Sequence, residues 1–203
     1  GVYDLVAQIR AGRSVTEHLG DEVRSRLGLR MTDLGAVGVE PDAAEWRPGT
    51  DYSHASKAFA DVLLPDAPYV DEVAFDAAYD DFDAFLRRSL ADGFTAVAFP
   101  GFIEFVTFDD APDGPVYADG DVHRERALAM RDAFGRMWER ADELGMKVFL
   151  RTDMLTLSGP LEDYLTARFG GLATSDPAFW DVYAAGLDEL YAADPALDGV
   201  LVR

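Results

Sequence analysis

The sequence contains no cysteine and no asparagine, and its only lysines are Lys57 and Lys147. Without cysteine the chain has no disulfides, no thiolate nucleophile and no cysteine-ligated zinc. No apolar run reaches the length of a membrane span, and no basic segment followed by an apolar one opens the chain as in a signal peptide. These absences leave the compartment undetermined, with the cytoplasm favoured.

Positive charge is also scarce. The chain has 18 Lys and Arg against 38 Asp and Glu, which gives a formal net charge of −20 at pH 7. Such a charge repels the phosphate backbone of nucleic acids and the surface of anionic membranes. We therefore expect neither nucleic acid nor membrane as a partner. With 203 residues the chain is long enough to form one sizeable core.

The stretch from Phe94 to Asp153 predicts a strand, a loop, a helix and a second strand. The apolar run FTAVAF lies between Gly93 and Pro100-Gly101, which favours a buried strand over a buried helix segment. Apolar residues recur at helical spacing from about Val122 to Leu144, and after Gly145 the segment KVFLR predicts a second buried strand. Two such strands joined by a helix predict a right-handed βαβ unit in a parallel sheet.

The same order of helix, glycine and apolar strand recurs along the chain. LGLRM predicts a first strand, a helix is expected from Val70 to Asp92, another begins at Asp176-Pro177, and DGVLVR predicts a fourth strand. Repeated units of this kind are typical of an open doubly wound sheet or of a (β/α)8 barrel. Long loops after the strands, short loops after the helices and the lack of a G-x-G-x-x-G motif favour the barrel.

Four strands are half of a complete barrel. We therefore expect an α/β fold that is a partial (β/α)8 barrel, with a chain that is a fragment of a longer protein. The alternative is an ordinary four-stranded α/β domain that ends on its last strand. In a half barrel, strands one and four have open edges, and the inner faces of the strands stay uncovered. We assign Val97, Phe99, Val148, Leu150, Val200 and Val202 to those inner faces.

Five segments in this order resemble the family 67 α-glucuronidases and, more distantly, the family 20 β-hexosaminidases. They are GVYDLVAQIRAG, LGLRMTD, GFTAVAF, ELGMKVFLRTD and GGLATSDPAFWDVYAAGLDELYAADPALDGVLVR. The resemblance implies that residues 1–26 are the last helix and connector of a preceding small α/β domain, and that residues 27–203 are the N-terminal half of the barrel. Two positions depart from the α-glucuronidase pattern: Asp33 replaces an asparagine, and Phe99-Pro100-Gly101 replaces an asparagine-rich turn.

The resemblance also implies an activity. In these families a glycosidic bond is cleaved by carboxylate acid/base catalysis, and the catalytic carboxylates lie at or beyond the end of strand four. In this sequence that places them beyond Arg203, so we expect the 203 residues alone to be inactive. The alternative, from a different functional class than the enzymes, is a non-catalytic carbohydrate-binding or scaffold module.

Three carboxylates follow the predicted strands. Asp33, Glu104 and Asp153 come just after strands one, two and three, where a barrel directs side chains into a shared pocket. Each is a candidate to bind sugar hydroxyls, although most of the 38 acidic residues must be solvated or cap helices. Arg151 and Arg203 end strands three and four, and each can bind a sugar carboxylate or pair with a neighbouring aspartate.

The loop after strand one offers Trp46 and His54 within WRPGTDYSHASKAF. An aromatic face beside a polar donor suits a sugar, which has both apolar faces and hydroxyl edges. A loop histidine is also often a surface residue, and that interpretation stays open.

The acidic segment DDAPDGPVYADGD does not fit a calcium loop, because its third and twelfth positions are Ala111 and Gly120. We expect no metal and no cofactor. The expected partners are a carbohydrate and either the rest of the barrel or a second copy of the chain.

Overall fold

The structure is a computed structural model of the 203-residue chain, and it describes residues 2–14, 16, 26–34, 59, 61–153 and 155–202. Helices and strands alternate along most of this length. In chain order they are α1 (Val2–Arg10), β1 (Met31–Asp33), α2 (Glu72–Ala91), β2 (Ala96–Pro100), a 3-10 turn (Ile103–Phe105), α3 (Val122–Glu143), β3 (Lys147–Thr152), α4 (Gly159–Phe169), α5 (Pro177–Ala193) and β4 (Leu197–Val202).

The four strands form one parallel sheet in the order β1-β2-β3-β4. On β2, Ala98 is the register partner of Asp33 on one side and of Phe149 on the other. Sequential parallel strands joined through helices are the arrangement found in half of a (β/α)8 barrel. The expected α/β fold with a partial barrel of four βα units is therefore confirmed.

Aspartate side chains begin the three long helices. Asp71 accepts hydrogen bonds from the N–H groups of Val73 and Ala74 at 3.0 Å each, which fixes the start of α2. Asp121 caps α3 and Asp176 caps α5 in the same way. The predicted starts of these helices agree with the structure to within two residues, because cap residues mark them in the sequence.

Two local predictions need correction. Helix α4 was not expected, since its apolar face consists of little more than Leu161 and Leu165, which are its buried residues. Ser158 caps it, and Gly170 ends it with a left-handed backbone at φ 75°. The apolar spacing in the helix expected from Val70 to Asp92 also predicts Val73 on its buried face, but Val73 is 82% exposed because it lies in the first turn, next to the cap.

The core lies between one face of the sheet and the helices. The ring of Phe99 on β2 packs edge-on against Phe82 of α2 at 5.3 Å and against Trp138 of α3 at 6.3 Å. Val97, Val148 and Leu150 share this face and are at most 1% exposed. The prediction that these side chains form an uncovered barrel interior is therefore wrong, because α2 and α3 cover their face of the sheet.

The N-terminal helix packs against another helix. Helix α1 contacts α2, although Leu5, Val6 and Ile9 on α1 remain 38–56% exposed. Residue 15 and residues 17–25 lie outside the described residues, so the division into residues 1–26 and 27–203 stays a prediction. Among the helices described, none combines the length and the apolar character that crossing a bilayer requires.

Candidate functional site

The face of the sheet opposite α2 and α3 carries charged side chains at its carboxyl edge. Side chains alternate along a strand, so the register places Asp33, Ala98 and Phe149 on one face and Phe99 on the other. Arg151 lies two residues after Phe149 and shares its face. In a barrel this is the inner face, and its carboxyl edge opens into the pocket.

An ion pair connects the two strands that flank β2. Nη1 of Arg151 on β3 donates a hydrogen bond to Oδ2 of Asp33 on β1. The small side chain of Ala98 lies between these strands and leaves space for the contact. The side chain of Arg151 is 17% exposed and that of Asp33 is 42% exposed. Arg151 thus pairs with a neighbouring aspartate, which is one of the two interpretations given above. Its guanidinium has further N–H groups in addition to the one bonded to Asp33.

An aromatic residue lies on the same face of the sheet as this pair. Phe149 is partly exposed, and its ring lies over Gly199 of β4, where a built Cβ would be only 2.9 Å from Cε1 of the ring. Sequence reasoning did not select Phe149 as a site residue. The signal was present in KVFLRT, since Phe149 and Arg151 occupy alternate positions and must share a face.

Glu104 lies in the 3-10 turn that follows β2. Its Oε2 accepts a hydrogen bond from the N–H of Phe102 at 2.9 Å. Gly101 has φ 112°, and a Cβ there would lie 2.9 Å from the ring of Phe105 and 3.2 Å from the carboxylate of Glu104. The turn is anchored by Phe105, whose ring packs against Trp138 at 5.0 Å. The Glu104 carboxylate is therefore held close to the end of β2.

A largely buried carboxylate on α5 fixes the rest of this loop. Oε1 of Glu189 accepts hydrogen bonds from the N–H and Oγ1–H of Thr107 at 2.9 and 2.8 Å, and Oε2 accepts from the N–H of Phe108 at 2.8 Å. Nη1 of Arg131 donates to the same Oε1 at 2.7 Å. Phe108 has the unusual φ of 52°, and its ring approaches Gly186 so closely that a Cβ there would lie 2.8 Å away. Sequence reasoning missed this network, because it joins residues about 80 positions apart.

Two buried tyrosines hold the loop after β3. The hydroxyl of Tyr183 donates to the carbonyl of Thr156 at 2.9 Å, and the hydroxyls of Tyr117 and Ser158 are hydrogen-bonded at 2.8 Å. Burial raises the pKa of Tyr183 and of Tyr117 well above the ordinary value. Both phenols are therefore neutral at physiological pH, and their roles here are hydrogen bonding and packing.

The predicted site residues fall into two groups. Asp33 is the last residue of β1, and Glu104 and Asp153 follow β2 and β3, so all three lie toward one edge of the sheet, with Arg151 bound to Asp33. Trp46, His54 and Arg203 lie outside the described residues, and their contacts with a sugar stay predictions. Within the part of the chain that the structure describes, no group of three or more His, Asp and Glu side chains is arranged to hold a metal ion.

Comparison with known proteins gives one similar structure to report. No protein-family model and no curated protein matches the chain. The crystal structure of β-glucosidase 2 from the fungus Trichoderma reesei in complex with Tris is similar to it, with a TM-score of 0.40 and 16% sequence identity. The similarity covers 85% of this chain and 33% of that chain, so this chain spans about a third of that protein's length. The assignments to family 67 and family 20 stay hypotheses.

Proposed function

We propose that this chain forms the sugar-binding half of a glycoside hydrolase barrel of the α-glucuronidase type. The ion pair between Arg151 and Asp33 is the observation on which the proposal rests. It lies at the carboxyl edge of the parallel sheet, on the face that a barrel turns inward. The proposed ligand is a sugar that carries a carboxylate.

Arg151 suits the carboxylate of such a sugar. A guanidinium presents five N–H donors in a fixed plane. Arg151 can therefore donate to Asp33 and bind a second carboxylate without moving. Its side chain is only 17% exposed, and charge-assisted hydrogen bonds are stronger where water is largely excluded. Asp33 fixes the orientation of the guanidinium before the sugar binds.

The neighbouring groups suit the rest of a sugar ring. Phe149 offers an aromatic surface on the same face as Arg151, which can pack against the C–H face of the ring. Asp33, Glu104 and Asp153 provide carboxylate oxygens as acceptors for hydroxyl groups. The proposal assigns these three to sugar binding and leaves the acid/base pair to the strands that complete the barrel. The 203-residue chain is then a binder that does not hydrolyse its ligand.

Calorimetric titration with glucuronate and with glucose tests the proposal. We expect the chain to prefer glucuronate, and we expect Arg151→Gln to weaken glucuronate binding at least tenfold with little change for glucose. Lys147→Gln is the matched control, since Lys147 pairs with Asp198 at the opposite edge of the same sheet. Equal affinity for the two sugars, or equal losses in the two variants, would contradict the proposal. Hydrolysis of an aryl glucuronide by the chain alone would contradict the assignment of catalysis to other strands.

A further inference from the structure

Asp194 forms the junction between α5 and β4. Its backbone N–H donates to the carbonyl of Leu190 at 2.8 Å, and its carbonyl accepts from the N–H of Leu197 at 3.1 Å. Its side chain packs on α3, where a Cβ built on Gly135 would lie 3.0 Å from Oδ1. The absence of a side chain at Gly135 therefore allows this carboxyl group to rest against the backbone of the neighbouring helix.

The other carboxyl oxygen is buried without a partner. Oδ2 of Asp194 has essentially no solvent exposure and no hydrogen-bond partner among the residues that the structure describes. A buried oxygen without a donor is unfavourable, and it is more unfavourable when it carries a negative charge. The packed position of this side chain is therefore better suited to the neutral acid than to the carboxylate.

The charges around Asp194 come from α3. The pKa of Asp194 is raised to about 6, chiefly by burial; the positive charge of Arg131 lowers it, and the negative charge of Glu139 raises it. Arg131 is already bonded to Glu189 of α5. The carboxyl group borders an open groove of about 460 Å³, which is also lined by the charged side chains of Asp132 and Arg136.

We propose that Asp194 is a pH-sensitive latch that joins the α5–β4 junction to α3 when its carboxyl group is neutral and releases it when the group ionises. The groove offers space and water into which the ionised carboxylate can turn. Release loosens the hydrogen bond from Leu197 to the carbonyl of Asp194, and with it the start of β4. The latch does not depend on the proposed sugar site.

A direct titration tests the latch in the unmodified protein. The side-chain carboxyl ¹³C resonance of Asp194, followed by NMR from pH 3 to 8, should show a midpoint near 6. In the same samples, amide exchange at the start of β4, corrected for intrinsic rates, should be faster at pH 7.5 than at pH 5. A midpoint near the ordinary value of 3.8, or exchange protection that is equal at both pH values, overturns the proposal.

Thermal unfolding of matched variants gives the second test. Asp194→Asn keeps the shape of the neutral acid, so its Tm should exceed that of the wild type by about 4 °C at pH 7.5 and equal it at pH 4. Asp132→Asn changes an exposed carboxylate of the same groove and should follow the wild type at both pH values. If Asp194→Asn follows the wild type throughout, the latch is refuted. If that variant does not fold, the titration above decides alone.

Discussion

The ring of Phe149 occupies the space that a side chain would need at Gly199, its register partner on β4. A Cβ at Gly199 would lie 2.9 and 3.0 Å from two carbons of the ring, so close that the ring would have to shift. The register between β3 and β4 shifts next to this point, between Val148 and Phe149. The packing of β3 beside β4 therefore sets the position of Phe149, an aromatic residue of the proposed sugar site.

Replacing Gly199 should disturb both stability and the ring. We expect Gly199→Ala to lower the free energy of unfolding by about 1–3 kcal/mol, because the added methyl group must displace Phe149. Gly159→Ala is the control, since nothing lies within 4 Å of a Cβ built there. Urea unfolding measures both variants. Equal stability of Gly199→Ala and the wild type would show that the ring moves aside at no cost.

Truncation of Phe105 should be far more harmful than truncation of an exposed residue. Phe105 is fully buried and packs against Trp138 and Phe134 at 5.0 and 5.7 Å. Phe105→Ala should cost about 3–5 kcal/mol, because it removes the anchor of the 3-10 turn and leaves a cavity. Val73→Ala, at an 82% exposed position, should change stability by less than about 0.5 kcal/mol. Similar losses for the two variants would place Phe105 outside the core.

Elements with clear boundaries were predicted well from the sequence. Strands β2 and β3 and helix α3 are apolar patterns bounded by glycine, and their observed limits differ from the predicted ones by one or two residues. Helix α4 was missed because two buried leucines do not make a recognisable stripe. The sequence pattern also did not show which face of β2 packs against the helices. Ala96 and Ala98 on one face are buried like Val97 and Phe99 on the other, so both faces are apolar.

The site was predicted only in part, because its contacts are non-local. The sequence placed Asp33 and Arg151 at strand ends, yet their pairing across 118 positions depends on the register of three strands. Glu189 gave no signal at all, since a glutamate on an amphipathic helix is usually solvated. Its hydrogen bonds to the loop that follows β2 form only where α5 packs against that loop.

Glu189 should therefore be far more sensitive to substitution than an exposed acid. Glu189→Gln keeps the size of the side chain but removes the charge that Arg131 and two backbone N–H groups share. We expect a loss of about 3 kcal/mol, because one partner of a largely buried ion pair is left uncompensated. Arg88→Gln breaks an exposed pair with Asp92 and should leave the Tm unchanged. Equal Tm values for both variants and the wild type would contradict this view of Glu189.

Acid should weaken the packing between α2 and α3. Hydrogen bonds from Arg87 and Arg140 hold the pKa of Asp83 below its ordinary value of 3.8, although burial acts in the opposite direction. A group with a lowered folded pKa stabilises the protein above its unfolded pKa, and that stabilisation is lost as the pH falls through the folded pKa. Asp83→Asn should therefore lower the Tm by about 3 °C at pH 6 and have no effect at pH 2.

The control for this pH prediction is Asp80→Asn, which changes an exposed acid on the same helix and should leave the Tm unaltered at both pH values. A Tm difference between Asp83→Asn and the wild type that is the same at pH 2 and pH 6 would show that the ionised carboxylate is not responsible.

The outer edge of β4 should promote self-association of the chain. In the described part of the sheet β4 has a neighbour on one side only, so its other side presents unpaired backbone groups, and Leu201 and Val202 are 42% and 54% exposed. Leu201→Lys should shift the chain toward the monomer in sedimentation velocity, because a charged side chain opposes pairing along the edge. Leu172→Lys adds the same charge at a loop position that is 43% exposed, so it should leave the association unchanged. High salt should strengthen association of the wild type, since it screens the repulsion between chains of net charge −20. A wild-type chain that sediments as a monomer in high salt would show that this edge does not drive self-association.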